Sequence, residues 1–425
     1  MTTLQRRQKE NQQNRMLLVD SNLLHPNGGI AQTAASRLML EGESIPIQPL
    51  PALPACTQHA FFSTVISGGT ILLRADAMCR VCEDAYEKNL PSLILHCENR
   101  SLEAAVFHSS LIEHKAIING TNGQYDPFFN LSPVEISDLF MRSIPERYQQ
   151  NMNFGILVGL TAELYWIRKK RSIPLRTLLR FHIADLPQKI LDTQQRGLIN
   201  QRETLELNRR YQAAQSAVAA LQYYLDSLRS QFQPFYAAPA NPNDLLFHTL
   251  QASGVVTIDI MDIQNEFFIR MLVNHIRLLH RQGFSFVAGF SDLELAAYGG
   301  DMLAYAAQGD HAFIASAPDI VSAVGEPSQL SRLLSEAENS IYFGHRDGAH
   351  CAVLSDSLGT YKRWKINYSY GRGNSGIIPN DRTNVSLGED MSAKRVPADL
   401  LQALQGREMI FRDGVNNRIY LMNLC

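Results

Sequence analysis

The chain has 425 residues, 45% of them hydrophobic, and a formal net charge of −2 at pH 7. That length sets a prior of two or three domains, with ample material for a buried core. The near-neutral balance supplies no global field to draw the chain onto nucleic acid, so any such contact has to be local or face a pore built by several subunits.

Residues 1–15 are polar and basic without an apolar core, which excludes a secretory signal and predicts a flexible arm that touches a partner or nucleic acid. Met16 to Val19 reads as a short strand ending at Asp20 and Ser21. Pro46, Pro49, Pro51 and Pro54 make 45–55 an extended linker. An apolar run, Phe61 to Ile66, then leads into an octet running from Ser63 to Thr70 (STVISGGT). The octet follows the phosphate-loop pattern G-x-x-x-x-G-K-[ST] with two replacements. Ser63 stands for the first glycine and Gly69 for the lysine, while Gly68 and Thr70 keep their places. The lysine ammonium normally cancels charge on the outer phosphates, so this loop is expected to bind ATP and magnesium weakly and turn them over poorly. A helix over 71–88 follows. It carries Cys79 and Cys82 without a second pair or nearby histidines for zinc, which predicts packed thiols in a reduced, cytoplasmic compartment. Ser92 to His96 is a buried strand, completing a parallel βαβ unit.

A helix over 102–114, a short strand over 116–118 and a turn-rich stretch to Phe128 come next. From Ser132 to about Phe232 the apolar residues recur at helical spacing. Ser132-Pro133-Val134-Glu135 is a helix start with hydroxyl cap, proline at the first position and glutamate at the third. The strongest membrane candidate, Phe154 to Ile167, is too short and contains Glu163, so no span is predicted. The run Arg168-Lys169-Lys170-Arg171 is the densest positive patch. It suits the phosphates of a nucleic acid, and equally a solvated helix end that complements the dipole. Asn208 to Phe232 reads as one long helix, and Pro234 to Pro242 as a linker.

Strands at 254–260, 284–290, 312–316 and 340–343 then alternate with helices at 266–281, 293–307 and 328–337. The alternation predicts an α/β, P-loop NTPase-like, mostly parallel doubly wound sheet with an inserted all-helical domain. The expected boundaries are a basic arm at 1–15, the first part of the α/β domain at 16–131, the insertion at 132–240 and the second part at 241–425. Arg346, after the last strand, is a candidate arginine finger or a surface-turn residue. Tyr368 to Gly376 is glycine-rich and reads as a mobile loop. The 12 histidines show no metal-ligand spacing, and no G-x-S-x-G elbow supports hydrolase chemistry.

This order of elements resembles the HerA–FtsK class of DNA-translocating ATPases, nearest to the coupling proteins of conjugation and type IV secretion. The resemblance is carried by Ser63–Thr70, by Tyr125-Asp126-Pro127-Phe128 with Asn130-Leu131-Ser132 ahead of the insertion, and by Gly254 to Asp259 after it. Ile314 to Asp319, Leu358 to Tyr361 and Leu401 to Phe411 resemble the closing elements, although the first has a serine and no sensor glutamine. The resemblance implies Walker B acids after Phe286 to Phe290. Ser291 stands there instead, and Asp292 and Glu294 are displaced, which turns a carboxylate to the other face. Lysine and aligned acids are thus both missing. The implied role is a pseudo-ATPase subunit, structural or docking, in a DNA or protein transfer apparatus. Its partners would be protein subunits, an active ATPase paralogue among them, and nucleic acid. Two other readings stand beside it: an active translocase using Arg74 or a neighbour's Arg346 as the cation, and a non-motor α/β binding protein.

Overall fold

The computed structural model describes residues 63–119, 125–149, 151–229, 244–259, 266–292, 312–373, 380–414 and 418–424, with short strands at 23–24, 39–40 and 43–44; for 361–393 it describes backbone only. The expected arm, the linkers at 45–55 and 234–242 and the helix at 293–307 lie outside the described residues.

In chain order, β1 (Thr64–Ser67) leads into α1 (Ile71–Glu87), β2 (Ser92–His96), α2 (Arg100–His108) and β3 (Lys115–Ile118). The helical block has five principal helices: α3 (Pro133–Ser143), α4 (Met152–Lys169), α5 (Leu186–Gln195), α6 (Gln201–Ala214) and α7 (Val218–Arg229). Then come α8 (Asp244–Gln251), β4 (Val255–Asp259), α9 (Glu266–Arg281), β5 (Val287–Ser291) and β6 (Phe313–Ala317). The chain ends with α10 (Ile320–Val324), α11 (Pro327–Glu336), β7 (Asn339–Tyr342), α12 (Gly348–Ser357), β8 (Thr360–Gly373), β9 (Asn380–Lys394), α13 (Ala398–Ala403), β10 (Glu408–Asp413) and β11 (Arg418–Asn423). This is the α/β class, with mostly parallel strands and an all-helical insertion.

Two compact units are formed. One comprises Met1–His59, Ser63–Ala77 and Ala317–Cys425, the other Ala60–Phe62 and Met78–Ser316. In the first, β1 pairs parallel with β7, which pairs antiparallel with β10, and β10 with β11. In the second, the order β6-β5-β2-β4-β3 is parallel throughout. Every residue of β1, β2, β4, β5 and β6 is buried. Strands covered on both faces need continuous apolar or small residues, which is why they read as runs without alternation.

Local chemistry explains the helix boundaries. Ser132 accepts from the Glu135 amide at 3.3 Å, and Glu135 accepts from the Ser132 amide at 2.8 Å. Pro133 occupies the first helical position. Replacing Ser132 with Ala should cost about 1 kcal/mol in urea unfolding, the usual worth of such a cap, and a neutral result would mean that packing alone fixes the start of α3. The apolar α4 lies against α3, where Ser137 donates to the Gly155 carbonyl at 2.8 Å. Among the described residues no helix is long and apolar enough to cross a membrane.

The structure differs from the sequence expectation at three elements. The single helix expected over 208–232 is instead α6 and α7, joined by one turn of 3-10 helix at Gln215–Ala217, where Ala214 and Ala217 are buried. The helix expected to reach 114 stops at His108, because Ser109 Oγ takes the amides of Leu111 and Ile112, each at 3.3 Å. The expected loop at 368–376 is largely strand: β8 and β9 form a long antiparallel hairpin with a bulge between Trp364 and Ile366.

Candidate functional site

The octet from Ser63 to Thr70 does not fold as an eight-residue cradle. Its second to fifth positions are β1, so Ser63 lies at the far end of that strand from the glycines. The bend is made by Gly68 and Gly69 alone, at φ +87° and +66°. Both values are in the left-handed region that side chains resist. A Cβ at position 69 would also stand 2.8 Å from the Phe343 Cβ. The backbone therefore demands glycine at the very place where a phosphate loop carries its lysine.

The bend is closed from within the first unit. The Gly68 amide donates to the Ala317 carbonyl at 3.3 Å and the Gly69 amide to the Gly344 carbonyl at 3.1 Å. A phosphate cradle works by leaving such amides aimed at the ligand. The ring of His345 fills the crease beside Gly68. Its Nδ1–H donates to the Phe343 carbonyl at 2.8 Å, and its Nε2 accepts from the Ser67 hydroxyl at 2.8 Å. The Ser67 oxygen in turn accepts from the Ile320 amide at 2.9 Å. Burial pushes the His345 imidazole below its ordinary pKa, so it is neutral and suits this donor–acceptor role.

Arg74, on the first turns of α1, is 4% exposed and donates to the carbonyls of Gly68 and Gly69 at 3.2 and 2.8 Å. It clamps the outside of the bend. Thr70 is exposed, and its oxygen accepts from the Leu73 amide at 3.4 Å as a first-turn cap. Asp319 pairs with His350, while Asp347 caps α12 through the amides of Ala349 and His350 at 2.8 and 3.3 Å. Arg346 is exposed on the turn between β7 and α12.

The acid position belongs to the second unit. Ser291 ends β5, fully buried, and Asp292 follows at φ +52°. The Asn99 side-chain amide reaches both, at 3.1 Å to Ser291 Oγ and 2.9 Å to Asp292 Oδ2. Glu294 lies outside the described residues. The basic run closes α4: Lys170 is the left-handed C-cap, and Arg168 and Lys169 fill the last turn, where positive charge complements the dipole. Sequence reasoning missed His345 as a filler of the bend, since its partners are Ser67 and Phe343 and only folding brings Ser67 near. The H-R-D run after a strand was its only local trace.

No family model matches the chain, and no curated protein matches it. Solved structures do. The bacterial conjugative coupling protein TrwBdeltaN70, in an unbound form, is similar at TM-score 0.56 and 12% identity, over 85% of this chain and 84% of that one. TrwB with a non-hydrolysable ATP analogue is similar at TM-score 0.56 and 12% identity, over 97% and 91%. TrwB with ADP and Mg2+ is similar at TM-score 0.52 and 11% identity, over 97% and 91%. At these identities the likeness is one of fold. The chain thus shares the α/β fold of the bacterial conjugative coupling protein TrwB.

Proposed function

We propose that the chain is a non-hydrolysing, coupling-protein-like subunit with a structural or docking role in a DNA or protein transfer apparatus of the conjugation or type IV secretion kind. One observation carries this reading: both glycine amides of the bend already donate to protein carbonyls. An amide so engaged serves a phosphate only by breaking its bond and leaving a carbonyl unpaired, which costs about 1–3 kcal/mol each. The left-handed backbone at Gly69, together with the 2.8 Å approach of a Cβ there to the Phe343 Cβ, compounds this by disfavouring the lysine. TrwB holds ADP and Mg2+ on a similar fold, so it is the bend of this chain, not the fold, that argues against turnover. An active paralogue in the same assembly would supply the work, and this chain would supply contacts.

Calorimetric titration with ATP, with and without magnesium, tests the proposal alongside a turnover assay with and without DNA. The expected result is no magnesium-dependent binding and no turnover above background. Turnover that rises with DNA and disappears in Thr70→Ala would replace this reading by that of a working translocase.

A further inference from the structure

The geometry points to a divalent-cation site at the strand ends of the second unit, formed by His96, Glu103 and Asp259. His96 ends β2 and Asp259 ends β4, and the two are direct register partners on neighbouring parallel strands. Glu103 comes from the first turn of α2. One ligand atom from each lies within 4.8 Å of the other two, and all three residues are buried. His96 Nε2 is 3.8 Å from Glu103 Oε1, and its Nδ1 is 3.9 Å from Asp259 Oδ1. The first is a separation that two ligands bonded at roughly 2.0–2.2 Å to one cation can take, and the second sets the Asp259 carboxylate beside the same ring.

A second observation is independent of this clustering. The His96 side chain is fully buried, and its Nε2 has no hydrogen-bond partner. A buried ring nitrogen left without a partner is costly, and a cation accepting its lone pair removes that cost.

The cluster already shows an affinity for positive charge. Arg100 reaches Glu103 Oε2 at 2.8 Å and Asp259 Oδ2 at 3.6 Å, from a side chain that is 61% exposed. A guanidinium so placed can leave for solvent when a cation enters. Two anchors orient the carboxylates: Asn119 donates to Glu103 Oε1 at 3.1 Å, and the Glu98 amide to Asp259 Oδ1 at 2.9 Å. Ligation through Nε2 places the ring proton on Nδ1 and gives up the long 3.3 Å bond from the Asn99 amide. One imidazole and two carboxylates select a borderline first-row cation such as Zn2+ over Mg2+ or Ca2+, which favour oxygen alone. Three protein ligands leave one position open for water. The bound ion would tie the ends of β2 and β4 to α2, beside the Asn99 that holds Ser291 and Asp292.

Calorimetric titration of the full chain with Zn2+ tests the site in wild type, Glu103→Gln and Arg100→Ala. The expected result is one equivalent bound by wild type, lost in Glu103→Gln and roughly tenfold tighter in Arg100→Ala, where the competing charge is gone. Arg100 is exposed, so that variant keeps the test open even if a buried substitution unfolds the chain. Zn2+ binding unchanged in Glu103→Gln, or no tighter in Arg100→Ala, would reduce the cluster to a structural ion network and overturn the proposal.

Discussion

Gly68→Ala is expected to destabilise the fold by about 2–5 kcal/mol in urea unfolding, through left-handed strain and overpacking together. The added Cβ would stand 2.5 Å from His345 Cε1 and 2.8 Å from the Phe343 carbonyl oxygen. Neither neighbour can yield cheaply. The ring is pinned at both nitrogens, at 2.8 Å to Ser67 and 2.8 Å to Phe343. The carbonyl belongs to backbone just past the end of β7, and the Phe343 amide donates to the Ser67 carbonyl at 2.9 Å. Removing the ring separates the two contributions. His345→Ala should be costly alone, because it leaves the Ser67 hydroxyl one partner short in a buried place. The double variant Gly68→Ala/His345→Ala should then cost less than the sum of the singles, since one clash is shared. Strict additivity, or a Gly68→Ala cost below about 0.5 kcal/mol, would mean that the bend opens readily and that its closure is no obstacle to a ligand.

What the sequence revealed divides by range. The cap at Ser132 was legible because donor and acceptor lie within three residues. The buried strands were legible because coverage on both faces imposes uninterrupted apolar runs on β2, β4 and β5. The fold class followed from their alternation with helices such as α9, whose bounds the periodicity marks well. The state of the bend was not legible. The octet pattern registers residue types, whereas closure depends on the Ala317 and Gly344 carbonyls and on the His345 ring, all supplied from far along the chain. The cluster of His96, Glu103 and Asp259 escaped for the same reason: no spacing rule links the ends of two strands that only the sheet brings into register. The hairpin of β8 and β9 left a readable trace. Trp364, Ile366, Tyr368 and Tyr370 alternate with polar residues at strand period, and the glycines at 371, 373 and 376 obscured it.

Asp126, in the turn ahead of the helical insertion, should make stability fall as pH rises. Its carboxylate is 1% exposed. Its Oδ1 accepts from the Phe128 amide at 2.9 Å, and Oδ1 and Oδ2 share the Leu175 amide at 3.3 and 3.2 Å, which ties the turn to the helix at Leu175–Leu179. Burial raises its pKa from an ordinary 3.8 to about 7, against the lowering effect of those two amides. The folded state therefore holds the proton more tightly than the unfolded chain. This favourable contribution is complete below the unfolded pKa and is lost progressively as pH climbs through the folded one. At 1.36 kcal/mol per pKa unit the change approaches about 4 kcal/mol between pH 4 and 8. Asp126→Asn keeps an acceptor oxygen for both amides and carries no charge at any pH. Its unfolding free energy should match that of wild type near pH 4 and exceed it by up to several kcal/mol at pH 8. The difference between the two proteins isolates this residue from every other titrating group. A gap of equal size at both pH values, or one that closes as pH rises, would show that Asp126 is ionised in the fold and that the amides, rather than burial, govern its charge.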